Sequence, residues 1–289
     1  MKINGYTRTC GLIGNPVEHT MSPAIHNTVA QALNENLVYV PFHVPEGHVG
    51  EAVRGAFALN LLGCNVTVPY KSEVLPFLSE VDPMAEQIGA VNTLVRTEDG
   101  FKGYNTDMPG LFRAMCEDGV KIEGEKVLIL GAGGVARAVA MLLAQKGAKE
   151  ITILNRTVEK AEKIAEEVNG YAGRPAVNAL GISDYQKLPP GEKYLAIQAT
   201  DLGMFPHVDK VVIEDPAFYR HIHTGYELIF NPAHTRFMSL VEESGGRAFN
   251  GLKMLLYQGI ISYELWTGTK VEKELAQKAY AEMKLAMGL

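Results

Sequence analysis

Cysteine is scarce in this chain. Cys10, Cys64 and Cys116 are the only three among 289 residues, and they lie far apart with no C-x-x-C pair. That pattern offers no disulfide framework and no thiolate metal knuckle, and it suits a reducing compartment such as the cytoplasm. An excess of positive charge is also missing. Lys and Arg number 27 against 33 Asp and Glu, a formal net charge of −6. With no basic field to hold a phosphate backbone, the composition counts against nucleic-acid binding. No apolar run approaches the roughly 18 residues of a membrane-crossing helix, and the segment behind Lys2 does not read as a signal peptide. Repeats, low-complexity tracts and charge blocks are lacking too. What remains is a globular composition, 47% hydrophobic and 21% charged, with a length that predicts two domains at roughly 100–200 residues each.

The first third alternates short apolar runs with helical stretches. Strands are predicted at Thr9–Gly14, Leu37–Val40, Gly63–Val68 and Ala90–Val95, the third stopped by Pro69 and the fourth by a turn at Glu98-Asp99-Gly100. Ser22 is placed to cap a helix with Pro23 at its first position. Strands alternating with helices predict an α/β fold with a mostly parallel sheet covered on both faces. A second unit begins near residue 108. Its buried strand Lys126–Leu130 runs into Gly131-Ala132-Gly133-Gly134-Val135-Ala136 and a helix, then a strand at Glu150–Leu154 and a charged helix from Val158 to Val168. Later strands are expected at Leu195–Ile197 and Tyr226–Phe230, followed by a helical tail from Gly251 that breaks at Thr267-Gly268-Thr269.

Gly131, Gly133 and Ala136 form G-x-G-x-x-A between a buried strand and a helix. The first glycine permits the tight turn, the second lets a pyrophosphate approach the backbone, and the small third residue lets helix and strand pack closely. Phosphates then meet free N–H groups at the helix start. This context points to a Rossmann dinucleotide-binding domain. The second strand ends in Asn155-Arg156-Thr157 instead of the acid that holds the ribose of NAD. An Arg156 guanidinium can grip a 2′-phosphate, so NADP is favoured over NAD. The bland alternative is a solvated arginine at a helix start.

The first unit carries polar groups where a plain core would not. Asn65 and Thr67 alternate on one strand, Lys71 follows Pro69, Asn92 ends another strand, and Asn105-Thr106-Asp107 precedes a helix. Carboxyl ends of strands form the ligand crevice of open parallel sheets, so these groups can converge on one small polyhydroxylated molecule. Taken singly, Asp107 reads equally well as a helix cap and Lys71 as a solvated lysine.

These residues make the chain recognisable. It resembles the shikimate dehydrogenase family along nearly its whole length. The resemblance is carried by Gly14-Asn15-Pro16, Ser22-Pro23 with His26-Asn27, Asn65-Val66-Thr67-Val68-Pro69-Tyr70-Lys71, Gly89-Ala90-Val91-Asn92-Thr93 and Gly103-Tyr104-Asn105-Thr106-Asp107. It continues through Gly131 to Arg137, Asn155-Arg156-Thr157, Ala199-Thr200, Gly203-Met204, Asn231-Pro232, and Asn250-Gly251-Leu252 leading to Gln258. The resemblance implies reversible reduction of 3-dehydroshikimate to shikimate with NADPH in aromatic amino-acid biosynthesis, in the cytoplasm. It implies a substrate domain over residues 1–107, joined by C-terminal helices 251–289, and a Rossmann NADP domain over 108–250, facing each other across a cleft. Lys71 and Asp107 match the family's catalytic pair. Thr20 and Ser22 fall where paired hydroxyls hold the substrate carboxylate, and Asn65, Thr67, Asn92 and Gln258 match its hydroxyl-binding groups. Gly131 to Ala136, Asn155, Arg156, Thr157, Thr200, Met204 and Gly251 are the expected cofactor contacts, Met204 beside the nicotinamide. A homodimer is one expectation for assembly.

Three departures bear on the substrate. Thr20 stands where the family commonly has serine, Gln198 where it has asparagine, and Phe230 where it has a tyrosine near the carboxylate. A hydrogen bond to a charged group contributes about 1.5–3 kcal/mol, so a quinate/shikimate dehydrogenase is the competing reading. A catalytically silent sensor would have lost Lys71 or Asp107, and both are present. A methyltransferase would carry an acid where Asn155 and Arg156 stand.

Overall fold

Continuous apolar strands must be covered on both faces, and the chain meets that demand twice. In the computed structural model, which describes residues 3–289, it divides into one unit running up to Leu111 together with Leu255–Leu289, and a second unit of Phe112–Met254. The first contains β1 (Arg8–Gly14), α1 (Ser22–Ala32), β2 (Leu37–His43), α2 (Val49–Ala58), β3 (Gly63–Val66), β4 (Glu80–Val81), α3 (Pro83–Ile88), β5 (Thr93–Arg96), β6 (Phe101–Tyr104) and the start of α4 (Asp107–Glu117). The second contains β7 (Lys126–Leu130), α5 (Gly134–Gln145), β8 (Glu150–Asn155), α6 (Val158–Ala172), β9 (Val177–Gly181), β10 (Tyr194–Gln198), α7 (Pro216–Tyr219), β11 (Ile222–Glu227), α8 (Arg236–Glu243) and β12 (Arg247–Phe249). The chain then returns to the first unit along α9 (Leu252–Thr267) and α10 (Lys273–Ala286).

The first sheet has the order β2-β1-β3-β5-β6-β4. Helical crossovers α1 and α2 make β2, β1 and β3 parallel. Within this mostly parallel sheet β5 is the exception: it runs antiparallel to both β3 and β6. The four-residue link from Thr97 to Gly100 is closed by Thr97 N–H donating to Gly100 O at 2.9 Å, and a link that short builds only a hairpin. Residues 90–92 lie outside β5 because their backbone is otherwise engaged. Val91 N–H donates to Lys71 O at 2.7 Å and Asn92 N–H to Tyr104 O at 3.0 Å. Ser22 is likewise not the cap of α1 but its first residue, the cap being Met21. Thr20 Oγ1 accepts the Ser22 N–H at 3.2 Å, which releases the Ser22 hydroxyl from capping.

The β2 edge is protected. Asn27 donates to Tyr39 O at 3.0 Å and accepts Tyr39 N–H at 2.9 Å. Pro41, two residues on, has no N–H to offer. Behind β2 lies a buried aromatic stack in which His26 packs on Tyr39 with ring centroids 4.2 Å apart and on Trp266 at 5.1 Å. Both His26 ring nitrogens lack a partner among the described residues, and burial pushes the imidazole down to about 3, so it stays neutral. Trp266 Nε1 donates to Leu94 O at 2.8 Å. A Cβ on Gly63 would sit 2.1 Å from that nitrogen, so α9 reaches the sheet only over a glycine.

The second sheet is parallel throughout, in the order β12-β11-β10-β7-β8-β9. Numbered from β7 this is the 3-2-1-4-5-6 arrangement of a Rossmann fold, whose ligand site lies beyond the carboxyl ends of the strands where the order reverses. β11 spans Ile222–Glu227 instead of the expected Tyr226–Phe230. The Glu227 carboxylate accepts Ile229 N–H at 3.1 Å and turns the chain out of the ladder there.

Candidate active site

Lys71 is placed by the turn that leaves β3. Tyr70 N–H donates to Thr67 O at 2.9 Å, and the Tyr70 hydroxyl anchors the turn by donating to Val44 O at 2.7 Å. Lys71 Nζ then donates to Asp107 Oδ2 at 2.7 Å, the lysine side chain being 33% and the aspartate 19% exposed. The ion pair is thus half-buried but open to a ligand. Asp107 is the first residue of α4, and the local capping falls to Asn105, whose Oδ1 accepts Asp107 N–H at 3.1 Å. The carboxylate is therefore not consumed by the helix end. Its second oxygen accepts from Asn92 Nδ2 at 2.9 Å. Asn92 is fixed in turn: Oδ1 accepts Thr106 N–H at 2.8 Å, and Gln258 Oε1 lies 3.5 Å from Nδ2. A Cβ on Gly110 would meet Gln258 N at 2.7 Å, so this glycine lets α4 and α9 approach closely enough to join the group.

The other expected substrate residues connect to the same network with different exposure. Thr20 Oγ1 donates to Ser22 Oγ at 3.2 Å, pairing the two hydroxyls before α1. The Ser22 hydroxyl lies beside that of Tyr39, which donates to Asn65 Oδ1 at 2.9 Å. Asn65 is only 4% exposed. Its Nδ2 faces Asn92 O, Thr93 Oγ1 and Ser262 Oγ at 3.1, 3.1 and 2.9 Å. Both ends of its amide are held by protein, so Asn65 braces the site from behind instead of standing open beside Thr67. Tyr39, Thr93 and Ser262 were not legible as site residues: each falls in an apolar stretch where it reads as core.

In the second unit a cavity of about 360 Å³ is lined by Gly131, Ala132, Gly133, Asn155, Arg156, Thr157, Lys160, Ala199, Thr200 and Asp201. Gly131 has φ +107°, and a Cβ there would strike Thr200 Cγ2 at 2.6 Å. At Gly133 and Gly134 a Cβ meets nothing within 4 Å, so what they keep open is the approach to the start of α5, where no side chain caps the N–H groups. That is the cradle a pyrophosphate needs. No acid follows β8. Arg156 and Lys160 have no carboxylate partner among the described residues, so both cations are available to a phosphate. The donor set fits NADP. Lys160, missed in the sequence, had a signal: it is a cation in the first turn of α6, just past Arg156. Gly134, Val135 and Ala136 belong to α5 and do not line the cavity, nor do Met204, which is 46% exposed, and Gly251, against whose Cβ position Leu228 O lies at 2.2 Å.

Gln198 is fully buried and shapes the loop beyond β10. Its Oε1 accepts Thr200 N–H and Thr200 Oγ1–H, both at 2.7 Å, and its Nε2 donates to Leu202 O at 2.9 Å. Across the β10–β11 ladder it faces Glu227, also fully buried. Burial pushes the Glu227 carboxyl up to about 7, against the opposing pull of hydrogen bonds from Ile229 N–H, the Thr235 hydroxyl and Gln198.

Family models match the chain in three stretches: the shikimate dehydrogenase substrate binding domain over 12–94, shikimate / quinate 5-dehydrogenase over 114–184, and the shikimate 5′-dehydrogenase C-terminal domain over 251–279. A shikimate dehydrogenase (NADP(+)) of Carboxydothermus hydrogenoformans is 42% identical over 279 residues, covering 96% of this chain and 98% of that protein. Among solved structures, a shikimate dehydrogenase in complex with NADP+ matches with TM-score 0.87 and 36% identity, covering 97% of both chains. A shikimate 5-dehydrogenase from Listeria monocytogenes in complex with shikimate and NAD matches with TM-score 0.87 and 33% identity, covering 96% of this chain and 98% of that one.

The buried Glu227 makes a pH prediction. Its folded carboxyl holds a proton more tightly than the ordinary value of 4.5, so its contribution to stability is full below about pH 4.5 and is lost as pH rises through about 7. Calorimetric midpoints of the parent should therefore fall relative to those of Glu227→Gln between about pH 5 and pH 8. A gap between the two proteins that stays constant over that range contradicts the assignment.

Proposed function

The chain belongs to the shikimate dehydrogenase family, and from that premise we propose that Lys71 and Asp107 perform the proton chemistry of its reaction. The enzyme is an NADP-dependent oxidoreductase that interconverts 3-dehydroshikimate and shikimate. The cofactor supplies or accepts the hydride at the carbon that bears the reacting oxygen. The proton and the developing charge on that oxygen are left to the protein. The Lys71 ammonium stabilises alkoxide character and delivers a proton in reduction, and its amine takes the proton back in oxidation. The 2.7 Å contact from Lys71 Nζ to Asp107 Oδ2, braced by Asn92 on the other carboxylate oxygen, carries this reading. It fixes the direction of the ammonium while leaving its remaining N–H groups for substrate.

In this reading Thr20 and Ser22 bind the substrate carboxylate, and Thr67, Asn92 and Gln258 bind ring hydroxyls with Asn65 behind them. The Gly131–Gly134 loop, Asn155, Thr157 and Thr200 seat the dinucleotide, Arg156 and Lys160 take the 2′-phosphate, and Met204 and Gly251 contribute near the nicotinamide. Quinate, with its extra tertiary hydroxyl on a saturated ring, is the weaker reading: Thr20 keeps a hydroxyl paired with that of Ser22, and the curated relatives carry the shikimate name. The chain works in the cytoplasm, in keeping with its free Cys10, Cys64 and Cys116. Since Asn27 and Pro41 blunt the β2 edge, a homodimer would form through another face.

Lys71→Ala should lower kcat for shikimate oxidation by at least about 10²-fold with a much smaller change in KM, the signature of a group acting in the transition state. Parental turnover in that variant ends the assignment. Arg156→Ala should reduce kcat/KM with NADP+ by about tenfold or more, since a hydrogen bond to a charged group contributes about 1.5–3 kcal/mol, and leave kcat/KM with NAD+ unchanged. An equal loss with both cofactors would remove Arg156 from 2′-phosphate recognition.

A further inference from the structure

Ser262 lies on α9 one turn beyond Gln258, is fully buried, and takes no part in the chemistry described so far. Its hydroxyl has two acceptors within reach, Gln258 O at 2.9 Å and Thr93 Oγ1 at 2.8 Å, and donating to Thr93 frees the Thr93 proton for Asn92. Around the same oxygen gather Asn65 Nδ2 at 2.9 Å, Thr93 Oγ1 at 2.8 Å and Thr106 Oγ1 at 3.2 Å. Three hydroxyls, from β5, from the entry to α4 and from α9, thus meet at one point in a site closed to solvent.

From that point a continuous chain of contacts leads to the reacting groups. Thr93 Oγ1 lies 3.0 Å and Thr106 Oγ1 3.1 Å from Asn92 Oδ1, which also accepts Thr106 N–H. The Thr106 N–H and the Thr93 hydroxyl hold the carbonyl end of Asn92 inward, while the Thr106 hydroxyl also stands 3.0 Å from Nδ2, so Nδ2 points at Asp107 Oδ1, 2.9 Å away. With the amide flipped, a carbonyl oxygen would face a carboxylate and the amide nitrogen would face the Thr106 N–H; both contacts are repulsive. Asp107 in its turn sets the direction of Lys71.

We propose that Ser262 is a positioning residue for the Lys71–Asp107 pair, acting through Thr93 and Asn92; the proposal rests on the reading of Lys71 as the group at the reacting oxygen. Each hydroxyl in the cluster carries one proton, and each is surrounded by more acceptors than that proton can serve. Removing the Ser262 oxygen deprives Thr93 and Asn65 of a partner where no water can replace it. The two threonines then lose their tie to α9, and the hydroxyls that work beside the Thr106 N–H in setting the Asn92 orientation are no longer held. Small displacements of a catalytic group reduce rate far more than they reduce binding.

The test compares Ser262→Ala, Thr93→Val and Thr93→Ser in the full-length enzyme, with steady-state kinetics for shikimate and NADP+ alongside thermal midpoints. Ser262→Ala and Thr93→Val should each lower kcat about tenfold with KM for NADP+ unchanged. Thr93→Ser, which keeps the hydroxyl, should stay within about twofold of the parent. In a Lys71→Ala background, Ser262→Ala should cause no further loss, because both changes disable the same step. Thr93→Val carries the test if Ser262→Ala does not fold. Lowered midpoints with parental kcat in the hydroxyl-free variants would show a merely structural role and overturn the proposal, as would a tenfold loss that persists without Lys71. The underlying reading fails separately, through a Lys71→Ala enzyme that turns over at the parental rate.

Discussion

An ammonium 2.7 Å from a carboxylate, half-buried and braced on its far side by an amide, is the contact around which the first unit is organised. A carboxylate at that depth is held in place only if each oxygen has a partner. Asp107 has two, and each depends on a separate piece of backbone. Lys71 arrives on the turn after β3, whose next link is the hydrogen bond from Val91 N–H to Lys71 O. Asn92 is one residue beyond that link, so the bond that fixes Lys71 also brings Asn92 beside it. The antiparallel β5–β6 hairpin then returns the chain to Thr106 and Asp107 on the same side. The departure from a parallel sheet is therefore what closes the site.

The same logic runs through the second unit with other atoms. There the constraint is backbone approach: Gly131 packs against Thr200, and Gln198 winds the loop that carries Thr200 around its own amide. The Gln198 amide fills that place without leaving a polar atom idle. Glu227 opposite is the acid that holds the chain where β11 ends. The loop beyond β10 and the end of β11 are thus joined by one buried polar pair.

Much of this was legible in the sequence, and the exceptions are instructive. Strand–glycine loop–helix spacing located the nucleotide site, and the absence of an acid at Asn155-Arg156 indicated the cofactor. Lys71, Asn92 and Asp107 were identified by polar residue type at strand ends. Period-two alternation placed Asn65 beside Thr67 as a ligand, but alternation reports a face and not an exposure, and Asn65 proves to be braced by Tyr39 and Ser262 in the interior. Ser262 lies 197 positions from Asn65 along the chain. Within its own helix it is one small polar residue in an apolar run, with nothing local to mark it. Thr93 is masked in the same way by the ordinary preference of strands for threonine. Glu227 could have been suspected as an acid inside an apolar strand, but only the sheet register shows that it faces Gln198.

Asp107 acts by its charge as well as by its shape, and Asp107→Asn separates the two. The replacement keeps size and one oxygen while removing the charge that directs Lys71. Steady-state oxidation of shikimate by NADP+ should lose at least about 10²-fold in kcat, with NADP+ binding, followed directly by titration, unchanged because the cofactor's residues lie in the other unit. Turnover at the parental rate in Asp107→Asn would contradict the account, since the lysine would then need no carboxylate to hold it at the reacting oxygen.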